Sequence, residues 1–388
     1  MGRILIFTGK GGVGKTSVAA AHALASSKEG VMTLIVSTDM AHNLSDIFEQ
    51  TIGKEEKEVS PNLFALEIDP YHVMDNEFKE LQSAFGKLFS FSGSSSDEVN
   101  LSIFSGMEEL ISLLKIMDIY ERKIYDRIII DCAPTGETLS LLKFPELLSW
   151  YMEKLFPVGK VAMRILSPIS KSMFKVELPD KAAMNDIEKA YLRLAELQSL
   201  LRDSEVTSIR LVTIPEKMVV EETKRNYMYM NLFNFQVDGV YINRILPKDI
   251  GNPFFEEWLR IQSRYIEELE QVFQYLPIYR IPWFDRDING CEGLEKLESE
   301  VLQGKDIFKL HKELRGEKYE KFDQGFFLKL YIPGVKKGDL ELHESASDII
   351  IKIGNFKRNI PKPSTLRNYE ITSGKLEEDI LTITFMKA

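Results

Sequence analysis

Cysteine is nearly absent: Cys132 and Cys291 are the two in 388 residues. Two sulfurs so far apart make neither a disulfide framework nor a zinc site, which excludes a stapled secreted scaffold and points to a reducing compartment. An excess of basic charge is missing too. Acidic side chains number 59 against 49 basic ones, a formal net charge of −10. Nucleic acid, which selects a basic surface, is therefore not an expected partner. No apolar run approaches the roughly 18 residues of a membrane-spanning helix. The chain enters a strand-like run at Arg3 and a glycine-rich loop by Gly9, which leaves no room for a signal peptide. A cytoplasmic protein is expected, with any membrane association peripheral or through a receptor protein.

What is present is ordinary for a globular chain, 44% apolar and 28% charged, and long enough for two or three domains. Short apolar runs at 4–7, 33–36, 63–68, 127–130, 208–213, 237–242 and 278–281 read as strands. Several, such as RIIID and TLIVS, are continuously apolar, as strands covered on both faces are. Helical stretches are expected at 16–27, 179–202, 221–233 and 254–275. The alternation predicts an α/β fold, a doubly wound and mostly parallel sheet. Two stretches break it, 78–115 and 147–201, and read as helical insertions. After a charged run, RGEKYEKFDQG at 315–325, short segments separated by Gly, Pro and Asp predict a small all-β sandwich. The boundary is placed near Asp323, which gives domains 1–315 and 324–388.

Residues 9–17 read GKGGVGKTS between a strand and a helix. Gly9, Lys10, Gly11, Gly12, Val13, Gly14, Lys15 and Thr16 satisfy the phosphate-loop spacing. The glycines let backbone N–H groups converge on phosphate oxygens, and the helix adds its positive end. Lys15 is expected on the β- and γ-phosphates of ATP and the Thr16 hydroxyl on Mg2+. Lys10 is poorly placed to repeat the work of Lys15. A cation there can reach a nucleotide on a facing subunit, a role the residues permit without requiring.

The nine residues, Gly9 through Ser17, resemble the deviant Walker A loop of dimeric ATPases that include MinD, nitrogenase iron protein and the ArsA family. The resemblance implies an ATP hydrolase that works as a homodimer, with Lys10 touching nucleotide in trans. Residues 37–46, STDMAHNLSD, resemble switch I of the ArsA/tail-anchored-protein targeting ATPases, with Met40 where that family has proline. By that match Asp39 positions or deprotonates the attacking water, as a carboxylate at a strand end can. Residues 131–138, DCAPTGET, resemble the family's switch II, DTAPTGHT, and so assign Asp131 to Mg2+ and its waters beside Thr16. Cys132 and Glu137 depart from the pattern. The stretch IPEK at 214–217 implies a trans nucleotide contact for Glu216, and YINR at 241–244 implies adenine recognition by Asn243. Taken alone, each is equally an ordinary polar residue after a strand. The match covers residues 1–302.

The shortage of cysteine speaks against an arsenite site, and the single phosphate loop against the tandem halves of a pump ATPase. The lack of a CxxC pair speaks against a zinc-stapled dimer. Hydrophobic protein segments are the expected clients. Their subdomain is placed at about 78–118 and 147–203, where apolar residues recur at helical spacing. Nine of the 14 methionines fall in 101–235, and flexible thioethers suit promiscuous apolar grooves, although they also fill core gaps. The C-terminal segment LKLYIPGVKK at 328–337 resembles the α-crystallin domain of small heat-shock proteins. That domain offers no recognisable nucleotide ligand, so the ATPase part is expected to fold without it. The alternatives are a MinD-like positioning ATPase, against which the β-like ending ILTITF counts, and an anion-pump subunit, weakened by the missing cysteines.

Overall fold

The computed structural model describes residues 2–39, 43–79, 107–132, 181–311, 317–345, 348–354, 356–366 and 368–387. In chain order the first elements are β1 (Arg3–Thr8), α1 (Lys15–Lys28), β2 (Thr33–Ser37), α2 (Asn43–Phe48), β3 (Lys57–Ser60), β4 (Leu63–Glu67) and α3 (Pro70–Asn76). Then come α4 (Met107–Glu121), β5 (Arg127–Asp131), α5 (Lys181–Arg202), β6 (Thr207–Thr213), α6 (Lys217–Leu232) and β7 (Val237–Ile245). A 3-10 turn (Pro253–Phe255), α7 (Glu256–Val272), β8 (Ile278–Pro282) and α8 (Gly290–Leu297) close this part.

The eight strands hydrogen-bond in the order β3-β4-β2-β5-β1-β6-β7-β8. All neighbours are parallel except β3 on β4. Side chains alternate faces with the strand period of two. Ile4, Ile6, Leu34, Val36, Ile128 and Ile130 enter one core with α4, α5, α6 and α7. Leu5, Phe7, Ile35 and Ile129 enter the other with α1, α2 and α8. Burial on both faces is why these strands read as unbroken apolar runs. The doubly wound sheet expected from the sequence is the fold found.

Three expectations change. The apolar residues of α4, among them Met107, Leu110, Leu114 and Met117, are buried on the sheet. This part of the expected client subdomain is therefore core, its helical periodicity met by the strands beneath. Met228 and Met230 are core as well, while Met218 is 65% exposed. Residues 80–106 and 147–180 of the two insertions lie outside the described residues.

The second change concerns the boundary. The small domain comprises β9 (Lys318–Phe322), β10 (Gly325–Tyr331), β11 (Leu340–Glu344), β12 (Asp348–Ile353), β13 (Phe356–Pro361), β14 (Tyr369–Glu377) and β15 (Ile380–Lys387). They form a four-stranded sheet, β14-β15-β10-β9, and a three-stranded one, β11-β12-β13, which share a core of Leu328, Leu330, Ile349, Ile351, Leu381 and Ile383. Asp323 falls in the turn between β9 and β10, which pair antiparallel. The charged run reads as a linker because β9 is an edge strand, exposed along most of its length, and edges are kept charged against stray pairing.

Third, the small domain is not set apart from the ATPase. Its core is continuous with the α4–α7 face of the large sheet. Tyr227 on α6 meets Tyr331 edge-on, and Tyr229 meets Phe356. Arg358, 4% exposed, donates to the Leu232 carbonyl and to Glu317 Oε2 and lies over the Phe233 ring. The connector is pinned as well: Arg3 donates to the Phe308 carbonyl at 2.6 Å, and Gln236 to that of His311 at 2.9 Å.

Candidate nucleotide site

The loop leaves β1 at the centre of the sheet. Gly9 sits so close to β6 that a Cβ there would lie 2.1 Å from the Val212 carbonyl oxygen. Gly12 and Gly14 take φ of 79° and 89°, a region that side-chain-bearing residues avoid. Gly14 caps α1, and its carbonyl accepts from Val18 N at 3.2 Å. The first helical residue, Lys15, is 8% exposed, and its ammonium donates to the Lys10 carbonyl at 3.3 Å.

Thr16 follows, and its hydroxyl donates to Asp131 Oδ2 at 2.7 Å. Asp131 ends β5, is 1% exposed, and its other oxygen, Oδ1, has no hydrogen-bond partner. Burial is the main cause that pushes this carboxyl up to about 6. The charge of Asp39 acts in the same direction, while the Thr16 hydrogen bond and Lys15 oppose it. Asp39 lies just past the end of β2, the neighbouring strand, where its backbone N–H donates to Ser37 Oγ at 3.2 Å. Thr38 N donates to the Asp131 carbonyl at 3.1 Å and ties the two strand tips together.

A buried carboxylate with an unused oxygen next to a threonine hydroxyl is an oxygen donor set of the kind Mg2+ takes. The residues fit the ion.

Asn243 approaches from β7. Its Nδ2 donates to the Val13 carbonyl at 2.8 Å, and its Oδ1 accepts from Arg244 N at 2.8 Å. Arg244 takes a left-handed φ of 56°, which bends the strand end at this point. A Cβ on Gly14 would lie 2.4 Å from Asn243 Nδ2, so the two residues are fitted to each other. Behind the loop a buried polar chain holds β6, β7 and α1 in register. Arg210 Nε donates to Asp238 Oδ1 (3.1 Å) and its Nη1 to the Tyr241 hydroxyl (3.2 Å). His22 bonds the same hydroxyl through Nε2 (2.8 Å) and the Val18 carbonyl through Nδ1 (2.8 Å). The Val18 carbonyl requires a proton on Nδ1, so Nε2 accepts from Tyr241. Burial, and after it the Arg210 charge, hold the His22 pKa well below the imidazole range.

The sequence-predicted residues are thus not all gathered. Gly9 to Ser17, Asp131 and Asn243 form one cluster, with Asp39 at its rim. Glu216 sits exposed at the N-terminus of α6. Lys10 leaves the loop, and its ammonium lies 3.6 Å from Glu222 Oε2 on α6. Glu222 and the His22–Tyr241–Arg210 chain were not singled out from the sequence. No spacing within it says which residue of α6 faces the loop.

A central strand, a glycine loop at its end and a helix that opens with Lys15 and Thr16 define a P-loop ATPase. The chain belongs to the ArsA family: residues 2–303 match the model described as Anion-transporting ATPase, and residues 323–385 match the HSP20-like domain found in ArsA. It is 34% identical to a protein of Aquifex aeolicus named "Putative arsenical pump-driving ATPase 1", over 98% of this chain and 99% of that one. A Chlorobaculum tepidum protein named "Putative arsenical pump-driving ATPase" is also 34% identical, over 99% and 96%. An "ATPase get3" of Pyrenophora tritici-repentis is 30% identical over 77% of this chain and 91% of its own length.

Proposed function

We propose that the chain is a homodimeric, Mg2+-dependent ATPase that couples its nucleotide state to the binding and release of hydrophobic protein segments. The observation that carries the ATPase part is the Thr16–Asp131 contact with the second Asp131 oxygen left over. In this reading the loop amides and Lys15 bind the β- and γ-phosphates. Thr16 and Asp131 hold Mg2+, which supplies charge neutralisation at the terminal phosphates. Asp39 orients or deprotonates water, Lys10 and Glu216 reach the nucleotide of the facing subunit, and Asn243 meets the adenine. Asn243 has one N–H and one oxygen lone pair left after its bonds to Val13 and Arg244, a pairing suited to adenine's N7 and N6 edge.

The client role is supported by the resemblance of both switches and by the relative named get3. Apolar, methionine-bearing sequence at 147–174 is the proposed contact. Among the described residues no helix is long and apolar enough to cross a membrane. The deciding experiment is to hold the Asp39→Asn variant in ATP and identify what co-purifies. Captured proteins with apolar helical segments support the reading; an empty, dimeric ATPase overturns its client part.

A second reading, the anion-pump subunit, is favoured by the names of two full-length relatives. Against it, the sequence offers two sulfurs, of which Cys132 is buried and accepts from the Thr38 hydroxyl at 3.9 Å. Turnover stimulated by arsenite or antimonite would favour the pump.

A further inference from the structure

The two lysines of the loop have different partners. Lys15 is buried and folds back on the loop. Lys10 instead points away and pairs with Glu222, in the second turn of α6. The pair is half open to solvent, with side-chain exposures of 38% for Lys10 and 28% for Glu222. The neighbouring carboxylates on this side, Glu221 and Glu268, are both taken by Lys224, at 2.9 and 2.6 Å. Glu222 is thus the acid that meets Lys10. It lies on the helix that Glu216 opens.

We propose that Glu222 is a positioning residue for Lys10, holding the ammonium on its own subunit until a nucleotide on the facing subunit draws it away. This deepens, and rests on, the reading of Lys10 as a trans contact. A lysine that turns to a partner's phosphate gives up its contact with Glu222, so the cis pair opposes the closed dimer. Being exposed, the pair is easily broken. Ion pairs of this kind shift an equilibrium by about two- to fivefold, enough to bias a switch without blocking it. Glu222 would thereby hold the dimer open until the facing subunit carries ATP.

The test uses the full chain. Turnover is measured against protein concentration, and association by sedimentation in ATP, with Asp39→Asn in the background to prevent hydrolysis. Glu222→Gln is expected to lower the concentration of half-maximal turnover about four- to 25-fold, one factor of about two to five for each of the two pairs in the dimer, and to leave turnover at saturating protein unchanged. Glu222→Asp, which keeps the charge, should return the midpoint toward the wild type. In a Lys10→Ala background, Glu222→Gln should not change the sedimentation midpoint. If Lys10→Ala alone has wild-type turnover, the trans reading itself is wrong. If Lys10→Ala abolishes turnover while Glu222→Gln leaves the midpoint in place or raises it, the trans reading stands and the holding role of Glu222 is overturned. A Glu222→Gln shift that persists without Lys10 also overturns it.

Discussion

Asn243 Nδ2 donates to the Val13 carbonyl across 2.8 Å, so the tip of β7 fixes the shape of the phosphate loop. The contact is possible only because Gly14, with φ of 89°, offers no side chain. Asn243→Ala should weaken ATP binding about threefold to tenfold, the value of one ordinary hydrogen bond, as read by titration calorimetry. Gly14→Ala should abolish binding, and adding Asn243→Ala should not restore it. The clash is relieved in the double variant, but the left-handed backbone remains.

Asp39 stands at the strand tip beside Asp131, near enough for its charge to raise the Asp131 pKa. Asp39→Asn keeps the size and removes the charge. ATP binding should persist while single-turnover hydrolysis falls by ~10²–10⁴, the usual share of a general base. Turnover near the wild type would assign water activation elsewhere.

The Asp131 carboxyl carries a pH signature. Its folded pKa, raised to about 6, exceeds the unfolded value, so folding favours its protonated form. That stability is fully present below the unfolded pKa of about 3.9 and is lost as pH rises through 6. At pH 8 the ionised, buried group costs the nucleotide-free protein about 2–3 kcal/mol. Asp131→Asn should therefore raise the thermal midpoint at pH 8, with a smaller gain at pH 5, and should lose the response to Mg2+-ATP. His22, buried and neutral, pulls the other way as pH falls, since burial and the nearby Arg210 charge oppose its protonation in the folded protein. Its effect is common to wild type and variant and cancels in the difference.

The docking of the β domain on α6 predicts shared stability. Arg358→Ala removes donors to the Leu232 carbonyl and Glu317 at a buried site and should cost about 2–4 kcal/mol. Calorimetry should show the ATPase transition falling together with that of the β domain. A chain ending at residue 311 should expose Tyr229 and Phe233, at present 4% and 2% exposed, and bind a hydrophobic dye. A truncated chain as stable as the full one would show the contact to be incidental.

The strands that hold the site could be read because they are apolar on both faces. β3 escaped: KEVS is short, exposed and antiparallel at the sheet edge. The helices α2, α3 and α8 escaped because none is long enough to display a clear period. The phosphate loop was legible in full, since glycine spacing is itself the structural requirement. Asp131 and Asn243 could be located only by likeness to a family. Their contacts with Thr16 and Val13 span 115 and 230 residues, which no local pattern encodes. The Lys10–Glu222 pair and the Arg358 anchor are tertiary in the same sense.

The central place of β1 has a consequence for how the chain is made. It leaves the ribosome well before its partners, since it pairs with β5 from Arg127 onward and with β6 from Thr207 onward. At about 5–20 residues per second, Ile4, Leu5, Ile6 and Phe7 wait on the order of ten seconds or more for their second neighbour. Until β5 is made the segment carrying the nucleotide loop lacks both central neighbours, and until β6 is made it is open along one edge. Assembly of the sheet cannot proceed from the N-terminus outward, and such distant pairings fold slowly. Newly made protein should be more prone to aggregate than the same chain once complete.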